Sequence, residues 1–435
     1  MSLPWAFRRR GRPITVVQVG TGARKLVIVG DTHGGAEANT YYLTLELIEY
    51  FRANAVAVPP DVRLYLIPTI NPDGLALGSR FDAFQVDLNR NMNTNLDDCA
   101  DNDWRPTVFG AYGLLADTGG PFPDSQLENR VLRNFLLDAS GAIFLHSNAG
   151  LVFPAFCDHA PSIEMAQVYA NAAGYVYARY WPNYLITGGM HDWAGSMGIA
   201  AITPELISPS ATEFQQNLAG TLAVLDARER VLPPPVDQQV NGVTVPALIW
   251  RYWQSHGGEA IFGLPLEPAR ITADGVTQTF TNARLELRPT LADTAFLVQP
   301  TPLRIEQAAL PGARPGGAMF AVAPQLATQN NPPGYLPPPP SLAAPVLTFE
   351  QTGHSLSGAF LTYWRRNGGA AVFGLPTSTE VEQYTADGQR RTVQYFERAI
   401  FAYYPEDGSV RLEPLGWQEL IREQVRAPWH AAQVR

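Results

Sequence analysis

The stretch GDTHGGAEANT, residues 30–40, sets His33 four residues ahead of Glu37 in a glycine-rich loop that follows an apolar run. Imidazole nitrogen and carboxylate oxygen are both zinc donors, and a catalytic zinc takes about three protein ligands with one position left open. His33 and Glu37 would supply two. The third should come from a neighbouring strand end, where α/β proteins gather their sites, and His146 closes the apolar run AIFLH with Ser147 just beyond it. Such a centre supports hydrolysis of an amide: zinc lowers the pKa of water toward about 7, and a carboxylate carries the proton to the leaving amine. Glu205 in ITPEL fits the carboxylate's task, and Arg80 supplies a guanidinium to stabilise the oxyanion. Each residue also has an ordinary use: a histidine at a strand end is commonly a hydrogen-bonded structural residue, and Asp87 and Arg90 could form a plain ion pair.

These residues need a rigid frame, and residues 1 to about 232 alternate apolar runs with amphipathic segments as an α/β layer protein does. KLVIVG (25–30), RLYLIPTI (63–70), GAIFLHS (141–147) and GIAAITPELI (198–207) read as buried strands of a mixed central sheet flanked by helices. ANTYYLTLELIEYF puts Leu43, Leu47, Tyr50 and Phe51 on one helical face. SATEFQQNLAGTLAVLDA opens with a Ser-x-x-Glu pattern, Ser210 to Glu213, which predicts a capping box, with Phe214, Leu218, Leu222 and Leu225 facing the sheet.

VLPPPVDQ (231–238) ends that helix, and NNPPGYLPPPPSLAAP (330–345) is a second extended stretch. Between and after them the chain repeats itself: YWQSHGGEAIFGLP (252–265) matches YWRRNGGAAVFGLP (363–376), each followed by Ala-Asp-Gly and Gln-x-Phe. The expected divisions are a catalytic domain at 1–232, a β-rich repeat at 237–302, a proline-rich linker at 303–346 and a second β-rich repeat at 347–420. The first copy is expected to lack the TFEQTGHSLSG lead-in of the second. Trp253, Trp364, Phe262 and Phe373 are expected in the core.

At 435 residues the chain is too long for one core. It is 46% hydrophobic and 16% charged, and no apolar run reaches the roughly 18 residues of a membrane span. The net charge of −9 offers no basic face to nucleic acid, and Arg8, Arg9 and Arg10 read as a solvated terminus. Lys25 is the single lysine, so nearly all positive charge is guanidinium, the group suited to fixed carboxylate recognition. Cys99 and Cys157 are either one disulfide or two buried thiols. The segment MSLPWAFRRRGRPI has no apolar signal core.

INPDGLALGSRFDAFQVDLNRNMNT (70–94) and YLITGGMHDWAGSMGIAAITPELI (184–207) follow the histidine loop in an order that resembles the zinc carboxypeptidase family, the carboxypeptidase A and murein-peptide peptidase type. The resemblance covers about the first 230 residues, including Gly-Arg-Pro-Ile at 11–14. It implies a Zn2+ held by His33, Glu37 and His146, with Asp87 of VDLNRN orienting His33. It implies that Asn89 and Arg90 bind the free C-terminal carboxylate of a peptide, that Tyr184 closes over it, that Arg80 polarises the scissile carbonyl and that Glu205 is the base. Ser147 is a further substrate contact. His191 falls at the floor of the terminal side-chain pocket and suggests a polar or acidic residue there. One departure stands out: the family spaces its first ligands His-x-x-Glu, whereas Ala36 holds that place here and Glu37 comes one later. Asp31 is the alternative ligand.

The repeats resemble the Leu-Gly-Phe-Pro repeats of bacterial wall-attached proteins, which implies a cell-wall polymer as partner and an extracellular or envelope location. The expected activity is therefore zinc carboxypeptidase; a zinc amidase or deacylase on the same fold, or a wall-binding protein without catalysis, are the alternatives.

Overall fold

The computed structural model describes residues 2–7, 12–110, 113–294, 296–303 and 345–433. Arg8, Arg9 and Arg10 and all but the edges of the segment 303–346 lie outside the described residues. The chain divides into two compact units, Met1–Asp237 with Leu291–Leu297, and Gln238–Thr290 with Val298–Arg435.

The first unit is built on strands β1 (Ser2–Phe7), β2 (Pro13–Val19), β3 (Arg24–Val29), β4 (Val62–Ile67), β5 (Ala139–Phe144), β6 (His146–Ser147), β7 (Leu151–Pro154), β8 (Val176–Tyr177) and β9 (Ala200–Leu206). They form one mixed sheet in the order β1-β2-β4-β3-β5-β9-β7-β8, with β6 also paired to β9. β4, β3, β5 and β9 run parallel at its centre, and β2 and β7 join them antiparallel. The central strands are mostly apolar because both faces are covered. Leu26, Ile28, Leu64 and Leu66 face one core, while Val27, Val29, Tyr65 and Ile67 face the other, as the two-residue period of a strand requires.

Helices α1 (Ala38–Ala53), α4 (Ala160–Ala173) and α6 (Phe214–Asp226) cover the first face; α3 (Leu127–Phe135) and α5 (Met190–Ser196) cover the second. The short α2 (Pro72–Leu77) follows β4. In α1, Leu43, Leu47 and Phe51 have no exposed surface, each worth about 2 kcal/mol of apolar burial, and Tyr50 packs at the edge. The face expected of α6 holds: Leu218 and Leu225 are buried, with Phe214 and Leu222 against them. Its start does not. The helix begins at Phe214, and Glu213, with a φ of 49°, has its carboxylate taken by the N–H groups of Ile207 and Ser208 and by the Tyr175 hydroxyl. No Ser210–Glu213 capping box forms, because tertiary partners claim the glutamate first.

In the second unit each repeat folds as a hairpin, two short helices and a four-stranded antiparallel sheet. The first copy has helices Ala247–Ser255 and Gly258–Phe262 before strands Arg270–Thr272, Gly275–Thr279, Arg284–Leu287 and Val298–Pro300. The second has Gly358–Arg366 and Gly369–Phe373 before Val381–Tyr384, Arg390–Tyr395, Ile400–Tyr404 and Ser409–Leu412. The indoles of Trp253 and Trp364 donate to the carbonyls of Gly263 and Gly374 at 2.9 and 3.0 Å. Those glycines adopt φ near +75° in the turn of Phe-Gly-Leu-Pro, a conformation that side chains resist. Trp253, Phe262 and Phe373 are buried as expected, whereas Trp364 is half-buried. The first copy also has a lead-in: strands Gln238–Val240 and Val243–Val245 pair as Leu347–Phe349 and His354–Leu356 do, so only its sequence had diverged. Among the described residues no helix is long and apolar enough to cross a membrane.

Candidate metal centre and active site

The site forms where β3, β5 and β9 end. His33 follows β3 by a short loop and His146 lies just past β5. Glu205 sits on β9 in register with His146. The His33–Glu37 loop carries the extra residue, and its two glycines explain how. Gly34 has a φ of 50°, and a side chain on it would meet Ser79 O at 2.3 Å and the Gly74 backbone at 2.5 Å; one on Gly35 would meet Gly78 Cα at 2.3 Å. The loop thus lies directly on the segment after β4, tied by Gly35 N–H to Ser79 O. Residues Gly34–Glu37 wind into a 3₁₀ turn, which swings Glu37 back beneath the imidazole.

Glu37 Oε1 lies 2.6 Å from His33 Nδ1, Glu37 Oε2 lies 2.9 Å from His146 Nδ1, and the two Nδ1 atoms are 3.1 Å apart. All three residues are buried, and their donor atoms lie within 4.8 Å of one another. Two nitrogens on one zinc at its usual bond length and tetrahedral angle are about 3.3 Å apart, so the donor set fits a zinc ion. His33 Nε2 lies 3.1 Å from Asp87 Oδ1, which keeps the ring proton on Nε2 and turns the Nδ1 lone pair toward Glu37. That leaves two acceptors in contact at 2.6 Å, an arrangement that a proton or a cation must bridge. Burial pushes the Glu37 carboxyl up, but His33 and His146 outweigh it and hold it well below the usual range. The Ser147 N–H adds a bond to Oε2 at 3.2 Å. Asp31 is not part of this group. It is fully buried, and its carboxyl is pushed up to about 8, mainly by burial.

Arg80 reaches in from the turn after α2. Its Nε donates to Asp87 Oδ2 at 3.0 Å and its Nη1 to Glu37 Oε1 at 3.4 Å, so one guanidinium braces both carboxylates. Glu205, half-buried, has its carboxyl held well above the ordinary range by burial and by Glu37. Asn89 uses its side chain inside the protein: Oδ1 accepts the Met190 N–H at 2.9 Å, and Nδ2 lies 3.4 Å from His146 Nε2. Ser147 spends its hydroxyl on Asn39 Oδ1.

Arg90 is the unusual member. It is buried, with 2% of its surface exposed, and it donates from Nε to Phe109 O and from Nη1 to Asn89 O, both at 2.8 Å. Among the described residues no acid pairs with it. Tyr184 stands beside it, ring 5.9 Å from the guanidinium carbon and stacked on Phe109. Next to this pair opens a pocket of about 220 Å³, lined by Phe153, Phe156, Tyr180, Trp181, His191 and Asp192 among others.

Residues 9–217 match the zinc carboxypeptidase family. No curated protein matches the chain. The chain is similar to solved structures that include thrombin activatable fibrinolysis inhibitor, at 18% identity over 53% of this chain and 69% of that one, TM-score 0.44. Another is murein-tripeptide amidase MpaA from Escherichia coli O157, at 20% identity over 51% of this chain and 91% of that one, TM-score 0.39. A third is the carboxypeptidase A from Helicoverpa armigera, at 17% identity over 53% and 69%, TM-score 0.42.

Several contributors to this site were not singled out from sequence. Asn39 anchors Ser147 and also donates to the carbonyls of Ser208 and Ala211. The pocket walls come from β7 and the loop before α5; the density of aromatics in GYVYARYWPNYL was the signal for the latter. Cys99 and Cys157 are joined as a disulfide, with Cα atoms 6.1 Å apart. It ties the loop after Arg90 to the pocket wall at Phe156.

Proposed function

We propose that the first unit is a zinc carboxypeptidase that removes the last residue of a peptide. One observation carries this reading: Arg90 is a buried guanidinium without an acid partner among the described residues, fixed by two backbone carbonyls beside the candidate metal centre. Burying an unpaired charge is costly, and a ligand carboxylate repays that cost. A peptide's free C-terminus is such a ligand, and Tyr184 would close over it.

A zinc ion on His33, Glu37 and His146 would polarise the scissile carbonyl and draw the pKa of the attacking water toward about 7. Asp87 keeps His33 in the ligating tautomer. Arg80, steadied by Asp87, donates to the carbonyl oxygen as negative charge gathers there. Glu205 takes the proton of the attacking water as its oxygen bonds to the carbonyl carbon. It returns that proton to the nitrogen as the C–N bond breaks, and the terminal residue leaves as a free amino acid.

The second unit enters this reading through its resemblance to wall-attached repeats, as the part that would hold the enzyme near a cell-wall peptide. A disulfide supports an oxidising compartment, outside the cytoplasm. The test is a digest of one peptide with free and with amidated C-terminus, followed by mass spectrometry. Release of a single residue from the free form only is expected; equal cleavage of both would replace the carboxypeptidase with an amidase.

A further inference from the structure

Asn39 sits two residues past Glu37 in the first turn of α1, buried with 3% of its surface exposed. Both ends of its side chain are engaged. Oδ1 accepts the Ser147 hydroxyl at 2.9 Å, and Nδ2 donates to Ser208 O at 2.8 Å and Ala211 O at 3.1 Å. Ser147 follows His146, and its N–H reaches Glu37 Oε2 at 3.2 Å. Ser208 and Ala211 follow Glu205, in the loop that leaves β9. One carboxamide thus joins the candidate metal ligands to the chain that carries the base. An amide suits this link, which needs an acceptor on one side and two N–H donors on the other. Glu213 ties the same loop from its far end, taking the N–H groups of Ile207 and Ser208 at 3.0 and 2.7 Å. Glu205 has no such support: among the described residues none donates a hydrogen bond to its carboxylate. Its place is therefore that of its backbone, set by the pairing of Glu205 with His146 and Leu151 and by how β9 is held beyond Leu206.

A carboxylate takes a proton from the attacking water only within about 2.6–3.2 Å of it, and a misplacement of about 1 Å can cost roughly a hundredfold in rate. Resting on the carboxypeptidase reading, in which Glu205 is the base, we propose that Asn39 is a positioning residue. It fixes the end of β9 against the Ser147–Glu37 pair and so holds Glu205 at its distance from the metal site. It acts through Glu205 and takes no proton itself. Its loss frees the 207–211 loop and the end of β9. Arg90, which rests on Phe109 O and Asn89 O, stays where it is. The step affected is the proton transfer, while the peptide's terminal carboxylate is bound as before.

The test uses the full chain, a free-ended peptide and its amidated form. Asn39→Ala should lower kcat at least about tenfold while KM stays within about twofold of wild type. Zinc affinity in chelator competition should change by well under the roughly 10- to 100-fold that follows loss of a ligand-orienting partner. Added to Glu205→Gln, the same substitution should cost almost nothing more in single-turnover assays, since the base it positions is already gone. Apart from turnover, hydrogen exchange read by mass spectrometry on metal-free protein should quicken across residues 206–213 in Asn39→Ala and stay unchanged in β5. If Asn39→Ala does not fold, Ser147→Ala removes one bond of the link and should show the same pattern with a severalfold loss in kcat. Equal proportional losses with and without Glu205, or unchanged exchange across 206–213, would overturn the positioning role. The carboxypeptidase reading would then stand, because wild type's preference for the free-ended peptide decides it alone. Wild type that cuts neither peptide ends both readings. Wild type that cuts both equally ends only the carboxypeptidase one, and the Asn39 comparison on either peptide still decides the positioning role.

Discussion

Replacing Arg90 with methionine keeps most of the side chain's bulk and removes its charge and its fork of donors. Two of the donor nitrogens are bound to Phe109 O and Asn89 O at 2.8 Å, so the guanidinium is already oriented and little ordering remains to be done when a carboxylate arrives. Truncating one partner of a desolvated charge pair costs about 2 to 5 kcal/mol. At about 1.4 kcal/mol per tenfold, kcat/KM for a free-ended peptide should fall roughly 30- to 4000-fold. Because the pair forms in the ground state as well as the transition state, most of the loss should appear in KM. Arg90→Lys keeps the charge without the fork and should fall between. Both variants free two backbone carbonyls, at a cost of about 1–3 kcal/mol of stability if these stay buried, so thermal melts must show that the assayed protein is folded. The control is internal: the amidated peptide, lacking the carboxylate, should be poor for wild type and change little in the variant. Equal proportional losses on both peptides would refute the role of Arg90.

Glu205→Gln should lower kcat at least about a hundredfold while metal analysis still finds about one zinc per chain; unchanged turnover would mean another group is the base. His33→Ala or His146→Ala should abolish zinc uptake, and Asp87→Asn should weaken it roughly 10- to 100-fold in chelator competition; wild-type protein that never takes up zinc would rule out the metal centre. Asp138 is buried between Lys25 and Arg63; burial raises its carboxyl, but the two cations outweigh it and leave the folded pKa lowered. Its stabilisation is present above the unfolded value of about 3.9 and lost as pH falls through the folded one, so Asp138→Asn should cost about 3–5 kcal/mol at pH 7 and a shrinking amount in melts below about pH 4. Cys99→Ser opens a loop with a sequence separation of 58, worth about 4 kcal/mol on the chain-entropy scale, and should lower Tm by roughly 10 °C; an unchanged Tm would argue against the disulfide.

What the sequence made legible follows from what is local or strongly patterned. Strands buried on both faces appear as unbroken apolar runs, so β3, β4, β5 and β9 could be read directly, and with them the places of His33, His146 and Glu205. What depended on partners far along the chain could not. Arg80 reaching Glu37, Glu213 taken by the Tyr175 hydroxyl instead of serving in a cap, and the Cys99–Cys157 link all pair groups by tertiary geometry. The spacing of His33 and Glu37 looked discordant because a count of residues cannot show a glycine turn pressed against residues 74–79. The hairpin Gln238–Val245 was hidden for the opposite reason: its fold matches Leu347–Leu356 while its residues do not.

The charges around the centre bind the metal and substrate readings together. Glu37, Asp87 and Glu205 face Arg80 and Arg90, three carboxylates against two guanidiniums in a buried cleft, and imidazoles that ligate a metal are neutral. Without a cation the set relieves its excess by keeping a proton on Glu205, whose carboxyl burial and Glu37 hold high. A divalent cation between the ligands frees Glu205 to ionise and leaves one positive charge in excess. The terminal carboxylate of a peptide, placed at Arg90, removes that excess. Because opposite charges in such a cleft favour one another, zinc should tighten binding of a free-ended peptide to Glu205→Gln protein, and the peptide should tighten zinc by the same factor. Amidation of the peptide should remove most of that coupling.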